Sequence, residues 1–328
     1  MRSARWISRM WWFVFCAVAM AAAGCGSAGG GSSSSGGGST GTASNTASLA
    51  RGVDISWMTQ LPALGYSFVG PAQTPASALQ ILKDHGVTAV RIRTFVNPSI
   101  TAGTLGVGNT DQAGSIALAQ TAAAMGFAIM IDFHLSDTWA DPGHQAIPAA
   151  WASYNYTQMQ TAVSSYIQGF MQALAADGIY PQWVQVGNEI DGGMLWPIGS
   201  TSNFAQLAGL INSDYKAVKA VSPSTLVVIH HSTLSNLANL EWFFDTLQAD
   251  GGSFDAIGVS YYDGPDTLTT SAANLSALAA RYSKPVLICE IGHTESDFMG
   301  AADDVKSAME ALAGVPGNLG RGIFYWEP

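Results

Sequence analysis

The sequence predicts an α/β fold, a single (β/α)₈ TIM barrel. Three observations predict it. From Arg51 onward, eight short apolar runs alternate with stretches of helical periodicity. Gly86, Gly126 and Gly178 each stand between a helical stretch and the next apolar run, as helix C-terminal stops do. Polar and aromatic residues recur at the same end of successive runs, and in a barrel those ends converge on one mouth. A doubly wound sheet is the alternative, but no Gly-rich phosphate loop follows the first strand.

The elements follow in order. The first strand is expected over 52–56 and offers Asp54 and Trp57 at its end. A helix over 75–85 leads to strand 88–95, where alternation puts Arg91 and Arg93 on one face. Helix 112–125 precedes strand 127–134, which supplies Asp132 and His134, with Asp137 and Trp139 just beyond. Helix 156–176 precedes strand 182–189, which ends on Asn188 and Glu189, followed by Trp196. Helix 203–220 precedes strand 225–231. There His230 and His231 point opposite ways, and His230 is the one placed toward the mouth. Helix 240–249 carries Trp242, Phe243 and Phe244 as core residues, and strand 254–262 ends in Tyr261 and Tyr262. Helix 270–281 precedes strand 285–290, which ends on Glu290 with His293 beyond. Alternation with Glu290 points Cys289 away from the mouth. Helix 302–313 precedes strand 321–326, which closes on Trp326 and Glu327. The sequence stops at Pro328, so the expected cycle lacks a final eighth helix.

The chain has 328 residues, 48% of them hydrophobic and only 11% charged. That is enough for one barrel domain over 50–328, since such barrels take about 250 residues. Residues 1–25 read as an export signal, with Arg2, Arg5 and Arg9 ahead of an apolar stretch from Trp11 to Ala23. Ala22-Ala23-Gly24-Cys25 resembles the bacterial lipobox, with Ala22 where Leu is commoner, so Cys25 is the expected lipidation site. The protein is then a cell-surface or periplasmic lipoprotein. Ordinary cleavage and full secretion is the alternative. Residues 26–49 are almost all Gly, Ser, Ala and Thr, with almost no apolar bulk, and read as a flexible tether. The formal charge is −10, and loss of the three leader arginines leaves 10 Lys+Arg against 23 Asp+Glu, near −13. That balance argues against nucleic acid and anionic membrane surfaces as partners. Of three cysteines only Cys289 lies in the barrel, so no disulfide framework is expected. The chain is expected to be monomeric and to need no cofactor or metal.

Glu189 and Glu290 are the most informative residues. Each ends an apolar run, where a desolvated carboxylate is costly and needs a reason. Two carboxylates facing each other across a cleft are the apparatus for cutting a glycosidic bond. An ion-paired structural acid is the bland reading of either one alone. Asp54 reads equally as a support of the barrel floor or as a substrate contact. A metal site from Asp132, His134 and His230 has no metal-ligand spacing behind it.

The motifs then carry a resemblance. Gly52-Val53-Asp54-Ile55-Ser56, Val90-Arg91-Ile92-Arg93, Asp132-Phe133-His134, Trp139-Ala140-Asp141-Pro142-Gly143, Gly187-Asn188-Glu189-Ile190, Leu195-Trp196-Pro197 and Gly258-Val259-Ser260-Tyr261-Tyr262 stand in this order over roughly 51–328. Together they resemble glycoside hydrolase family 53, the arabinogalactan endo-β-1,4-galactanases, within the clan of retaining (β/α)₈ glycosidases. The resemblance implies endo-hydrolysis of β-1,4-galactan, the side chains of type I arabinogalactan, by double displacement. It makes Glu189 the general acid/base, with Asn188 bonding the sugar 2-hydroxyl. It makes Glu290 the nucleophile, kept ionised by Arg91 or Arg93 and bonded by Tyr262. Trp326 is implied as the aromatic floor at the cleaved bond, and His134, His230, Trp139 and Trp196 as cleft lining. The family commonly follows the two tyrosines with Pro-Phe-Trp. Here Asp263-Gly264-Pro265 follow, and a sugar-contacting aromatic is expected to be missing. The short Gly292 to Gly300 stretch does not match the longer acidic loop that holds calcium in some bacterial members. The rival readings are a β-glycanase of the same clan acting on mannan or another polysaccharide, and a surface glycan-binding protein without turnover.

Overall fold

A computed structural model describes residues 49–328 apart from 62, 72, 73, 263 and 264. The expected leader with Cys25, the tether before Leu49 and the Asp263-Gly264 pair lie outside the described residues.

Eight parallel strands close into a barrel. They are β1 (Ala50–Asp54), β2 (Ala89–Thr94), β3 (Ala128–Phe133), β4 (Trp183–Val186), β5 (Leu226–His231), β6 (Ala256–Tyr261), β7 (Val286–Ile291) and β8 (Gly320–Tyr325). Each pairs with its sequence neighbour, and β8 pairs with β1 through Gly52 opposite Phe324. The helices between them are α1 (Ala78–Asp84), α2 (Gln112–Ala124), α3 (Tyr156–Ala176), α4 (Phe204–Val221), α5 (Leu237–Ala249), α6 (Pro265–Tyr282) and α7 (Phe298–Ala313).

Several helices begin earlier than apolar periodicity suggests, because polar caps set their starts. Asn236 accepts from the Asn239 N–H ahead of α5, and Asp297 accepts from the Gly300 N–H ahead of α7. A two-residue pairing of Gly193–Met194 with Gly199–Ser200 inside the loop after β4 is a feature that strand-length patterns do not reveal.

The strands are buried on both faces, as a parallel barrel under helices requires. Their outward residues, such as Ile92, Ile131, Val184, Ile229 and Ile288, pack beneath the helices. Inside, the N-terminal half is filled by Ala50, Ala89, Met130, Trp183, Val228, Ala256, Leu287, Cys289 and Phe324. The Trp183 and Phe324 rings meet edge to face at 5.7 Å. Above this dry floor the interior turns polar. Apolar floor and polar mouth thus divide the barrel along its axis.

Cys289 corrects a sequence expectation. It belongs to the interior floor, near Gly258. The ladder shifts register here, pairing Val259 with Ile288 and then Ser260 with Glu290. Cys289 is the extra residue of this bulge, which breaks strict alternation. Burial pushes its thiol well above the ordinary range.

Gly52 is held small by the same floor. A Cβ there would lie 2.5 Å from Phe324 Cε1 and 2.7 Å from the Ile323 carbonyl oxygen. Gly52→Ala is therefore expected to lower stability by about 1–3 kcal/mol, the usual cost of overpacking, as read by urea denaturation.

Candidate active site

The polar half of the barrel is built on Arg91, which is fully buried. A guanidinium presents five donors in a rigid fork, and here nearly every direction is used. Nη1 donates to Asp54 Oδ2 at 3.2 Å, and Nη2 donates to Asp132 Oδ2 at 2.8 Å and Asn188 Oδ1 at 2.9 Å. Nε and Nη2 share Gln185 Oε1 at 3.3 and 3.2 Å. Nη2 also lies 2.9 Å from Glu290 Oε1. Burial alone would make Arg91 easier to deprotonate, but Asp132, Glu290 and Asp54 outweigh it and keep the cation firmly charged. Burial also works against Asp132, yet Arg91 and His134 hold that carboxyl below its ordinary range.

Arg93 shares the interior face with Arg91 but has different partners. Its Nη1 donates to Asp54 Oδ1 at 3.2 Å, and its Nη2 donates to Glu327. The structure thus gives Glu290 to Arg91 and Glu327 to Arg93. Asp54, only 2% exposed, ties the two arginines together from below.

Glu189 sits on a different kind of support. The strand β4 stops at Val186, and the chain turns through Gly187 at φ +73° and Glu189 at φ +46°. A non-glycine in the left-handed region costs about 1–2 kcal/mol and persists where surroundings impose it. Gln145 imposes it here. Its Nε2 donates to the Asn188 carbonyl at 2.9 Å and lies 3.4 Å from the Glu189 carbonyl. The Ile190 N–H donates to the His230 carbonyl at 3.0 Å. The turn lifts the Glu189 side chain off the strand and into the mouth.

The two glutamates have unlike environments. Burial pushes the Glu189 carboxyl up to about 8, the charge of Glu290 adds to this, and one hydrogen bond from the Ser260 hydroxyl at 2.6 Å opposes it. Burial raises Glu290 too, but Arg91 and the Tyr262 hydroxyl, which donates to Oε2 at 2.9 Å, both favour its anion. The cation that touches the pair touches Glu290. Of the two carboxyls, Glu189 is therefore the one that keeps its proton more readily. A neutral acid beside a stabilised carboxylate can protonate a leaving group while offering an anion to a developing positive centre.

Behind Glu189 runs a chain of neutral groups. Ser260 Oγ lies 2.9 Å from His230 Nε2, and His230 Nδ1 lies 3.0 Å from Asn188 Oδ1 and 3.1 Å from Gln185 Nε2. Burial and then Arg91 push His230 down to about 3, so it is neutral. One proton arrangement fits these positions: the Ser260 hydroxyl donates to Glu189 Oε1, His230 Nε2–H donates to Ser260, and His230 Nδ1 accepts from Gln185 Nε2. It serves both charge states of Glu189, because a proton on the other carboxyl oxygen leaves Oε1 free to accept.

The other sequence-predicted residues fall into two groups. His134 is buried, accepts from the Ala140 N–H at Nδ1, and turns Nε2 to within 3.1 Å of Asp132. It lies under the site rather than in its wall. Asn188 is 5% exposed, and one of its two amide hydrogens is taken by the Ala140 carbonyl at 2.8 Å. Trp139, Trp196 and Trp326 are half-buried at the mouth. The Arg93 guanidinium lies 4.6 Å from the Trp139 ring and 4.7 Å from the Trp326 ring, and these two rings meet edge-on at 6.1 Å. Trp196 Nε1 donates to the Gly192 carbonyl at 2.9 Å. Tyr262 is 49% exposed, and its hydroxyl is engaged on Glu290. His231 points outward to Asp191 Oδ1 at 3.0 Å. Sequence reasoning missed Gln145, Gln185 and Ser260. Gln185 stands two residues after the interior-facing Trp183, so alternation could have placed it in the barrel; nothing local marks Gln145 or Ser260.

This constellation can be compared with known proteins. The model of glycosyl hydrolase family 53 matches residues 50–328. The chain belongs to glycosyl hydrolase family 53. Similar proteins include a probable arabinogalactan endo-β-1,4-galactanase A of Aspergillus terreus, 32% identical over 311 residues that cover 86% of each chain. The arabinogalactan endo-β-1,4-galactanase A of Aspergillus niger is 30% identical over 311 residues, 87% of this chain and 86% of that one. Among solved structures, a fungal β-1,4-galactanase superposes with a TM-score of 0.77 at 30% identity, covering 84% of this chain and 88% of that one. The family 53 catalytic domain of Ignisphaera aggregans superposes with a TM-score of 0.76 at 30% identity, covering 85% and 84%. All of these span the family 53 barrel found here.

Removing Arg91 strips Asp54, Asp132 and Glu290 of their shared cation. Arg91→Met is expected to cost about 3–5 kcal/mol of stability, because it leaves buried charge uncompensated. Guanidinium denaturation of the purified variant measures it.

Proposed function

We propose that this family 53 protein hydrolyses β-1,4-galactosidic bonds within galactan, with net retention. The supporting observation is the unlike pair, Glu189 with its proton held by burial and Glu290 with its anion held by Arg91. In this reading Glu189 protonates the leaving oxygen while Glu290 attacks the anomeric carbon. The resulting glycosyl-enzyme is then hydrolysed by water that Glu189, now ionised, deprotonates. The remaining Asn188 amide hydrogen serves the sugar 2-hydroxyl, and Trp326 lies under the sugar at the cleaved bond. Galactan as the substrate is supported by the names of the relatives. Export with a lipid anchor on Cys25 belongs to the same proposal and rests on the leader sequence. Cys25→Ser is expected to move the protein from the membrane fraction to the medium or periplasm on fractionation.

The deciding experiment incubates the protein with β-1,4-galactan, mannan, xylan and cellulose and analyses the products. Short galacto-oligosaccharides from galactan, released first as the β-anomer in proton NMR, support the reading. An α-anomer as first product overturns retention, and no product from galactan overturns the substrate. Glu189→Gln and Glu290→Gln are each expected to lower kcat on galactan at least about 10²-fold, as losing an acid/base or nucleophilic group does.

The pH profile follows from Glu189. Its proton is needed for the first step, so kcat/KM is expected to fall as pH rises through about 8. The Ser260 hydroxyl favours the ionised form of Glu189, so removing it favours the acid. Ser260→Ala is expected to move the alkaline limb to higher pH, measured as kcat/KM between pH 5 and 10. A limb that stays in place or moves down contradicts the hydrogen-bond assignment.

A further inference from the structure

The seam between β1 and β8 carries a group that the chemistry of Glu189 and Glu290 does not use. Trp57 lies just past β1, on the single helical turn Ser56–Thr59, and is 42% exposed at the mouth. Its indole Nε1–H donates to Glu327 Oε1, on the far side of the seam. The same oxygen accepts from Arg93 Nη2. No other ring packs on Trp57 among the described residues, and its exposed indole is pinned at Nε1.

Glu327 itself has the signature of a functional position. It holds φ +45°, almost the φ +46° of Glu189 on the opposite side of the barrel. Such backbone persists at sites whose surroundings over-determine it. Burial pushes its carboxyl up to about 7 against the pull of Arg93. It directly follows Trp326. One ion pair, Arg93 with Glu327, therefore organises three indoles: Trp139 and Trp326 lie against the guanidinium, and Trp57 hangs on the carboxylate.

We propose that Trp57 is a stacking platform for a further galactosyl unit of the polysaccharide, beyond the unit at Trp326, and that Glu327 is the positioning residue that holds it. A galactopyranose carries its axial hydroxyl on one face and C–H groups on the other. The C–H face suits an exposed, rigid indole, and a ring already pinned loses little freedom on binding. The polymer is the occupant because the platform continues the row of aromatics from Trp139 and Trp326. The proposal rests on the galactan reading above. A tryptophan that only closed the seam would be indifferent to the length of the sugar.

Steady-state kinetics on β-1,4-galactan and on galacto-oligosaccharides of increasing length test this. Trp57→Ala is expected to raise KM for galactan about 5- to 10-fold while kcat changes less than about twofold, and to flatten the gain in kcat/KM with oligosaccharide length. Trp57→Phe, which keeps a ring, recovers most of the loss. Glu327→Gln gives an intermediate KM, because the amide still accepts from Trp57 but no longer pairs with Arg93. Trp57 is at the surface, so the Trp57 variants are expected to unfold at the wild-type temperature, and circular dichroism checks this. If wild type cleaves galactan and Trp57→Ala keeps the wild-type KM and length dependence, the platform is refuted and the galactan reading stands. If wild type cleaves no galactan, that reading fails and takes the galactosyl assignment of Trp57 with it.

Discussion

The site depends on one buried guanidinium. Arg91 would be expensive to desolvate alone, and each of Asp54, Asp132 and Glu290 would be expensive without it. Together they are stable, and the arrangement leaves little freedom in geometry, since a planar fork dictates where its acceptors stand. Asp54 comes from β1, Asp132 from β3, Asn188 from the turn after β4 and Glu290 from β7. One side chain on β2 thus fixes the relative positions of residues from across the barrel. The rest of the mouth is referenced to it.

The asymmetry of the two glutamates follows from that placement. Both are desolvated, and desolvation alone would protonate both. Arg91 reaches Glu290, whereas Glu189 has the Ser260 hydroxyl as its hydrogen-bond donor. The difference between acid and anion is a difference in neighbours rather than in depth. The apolar floor from Ala50 to Phe324 supports this by keeping water out from below, so that the charges interact at short range in a poorly screening interior.

The sequence made the barrel legible because period-2 and period-3.6 patterns alternate cleanly from Arg51 onward. It was also enough to place Arg91 and Arg93 on one face and to mark Glu189 and Glu290 at strand ends. What it hid has physical reasons. Cys289 was misplaced because a bulge adds one residue and breaks alternation, and no local composition announces a bulge. The starts of α5 and α7 were late because Asn236 and Asp297 act as caps, which periodicity does not register. Gln145 and Ser260 matter through partners more than forty residues away, the Asn188 carbonyl and the Glu189 carboxyl. Glu327 was visible at the end of the last strand, but its link to Trp57 crosses the closure between β1 and β8 and spans the whole domain.

The chain of Gln185, His230 and Ser260 behind Glu189 has a consequence for the energetics of the proposed cycle. A carboxyl that alternates between acid and base usually drags its surroundings with it, because dipoles that suit one charge state oppose the other. Here one arrangement of hydrogens suits both states, since Oε1 accepts from Ser260 whether or not the other oxygen carries the proton. The reorganisation energy of the proton step is correspondingly small, which is what preorganised polar environments supply to catalysis. Hydrogen positions of this kind are invisible to X-rays at ordinary resolution. Neutron diffraction from crystals held on either side of the Glu189 titration would show the loss of one hydrogen from Glu189 in an otherwise unaltered site.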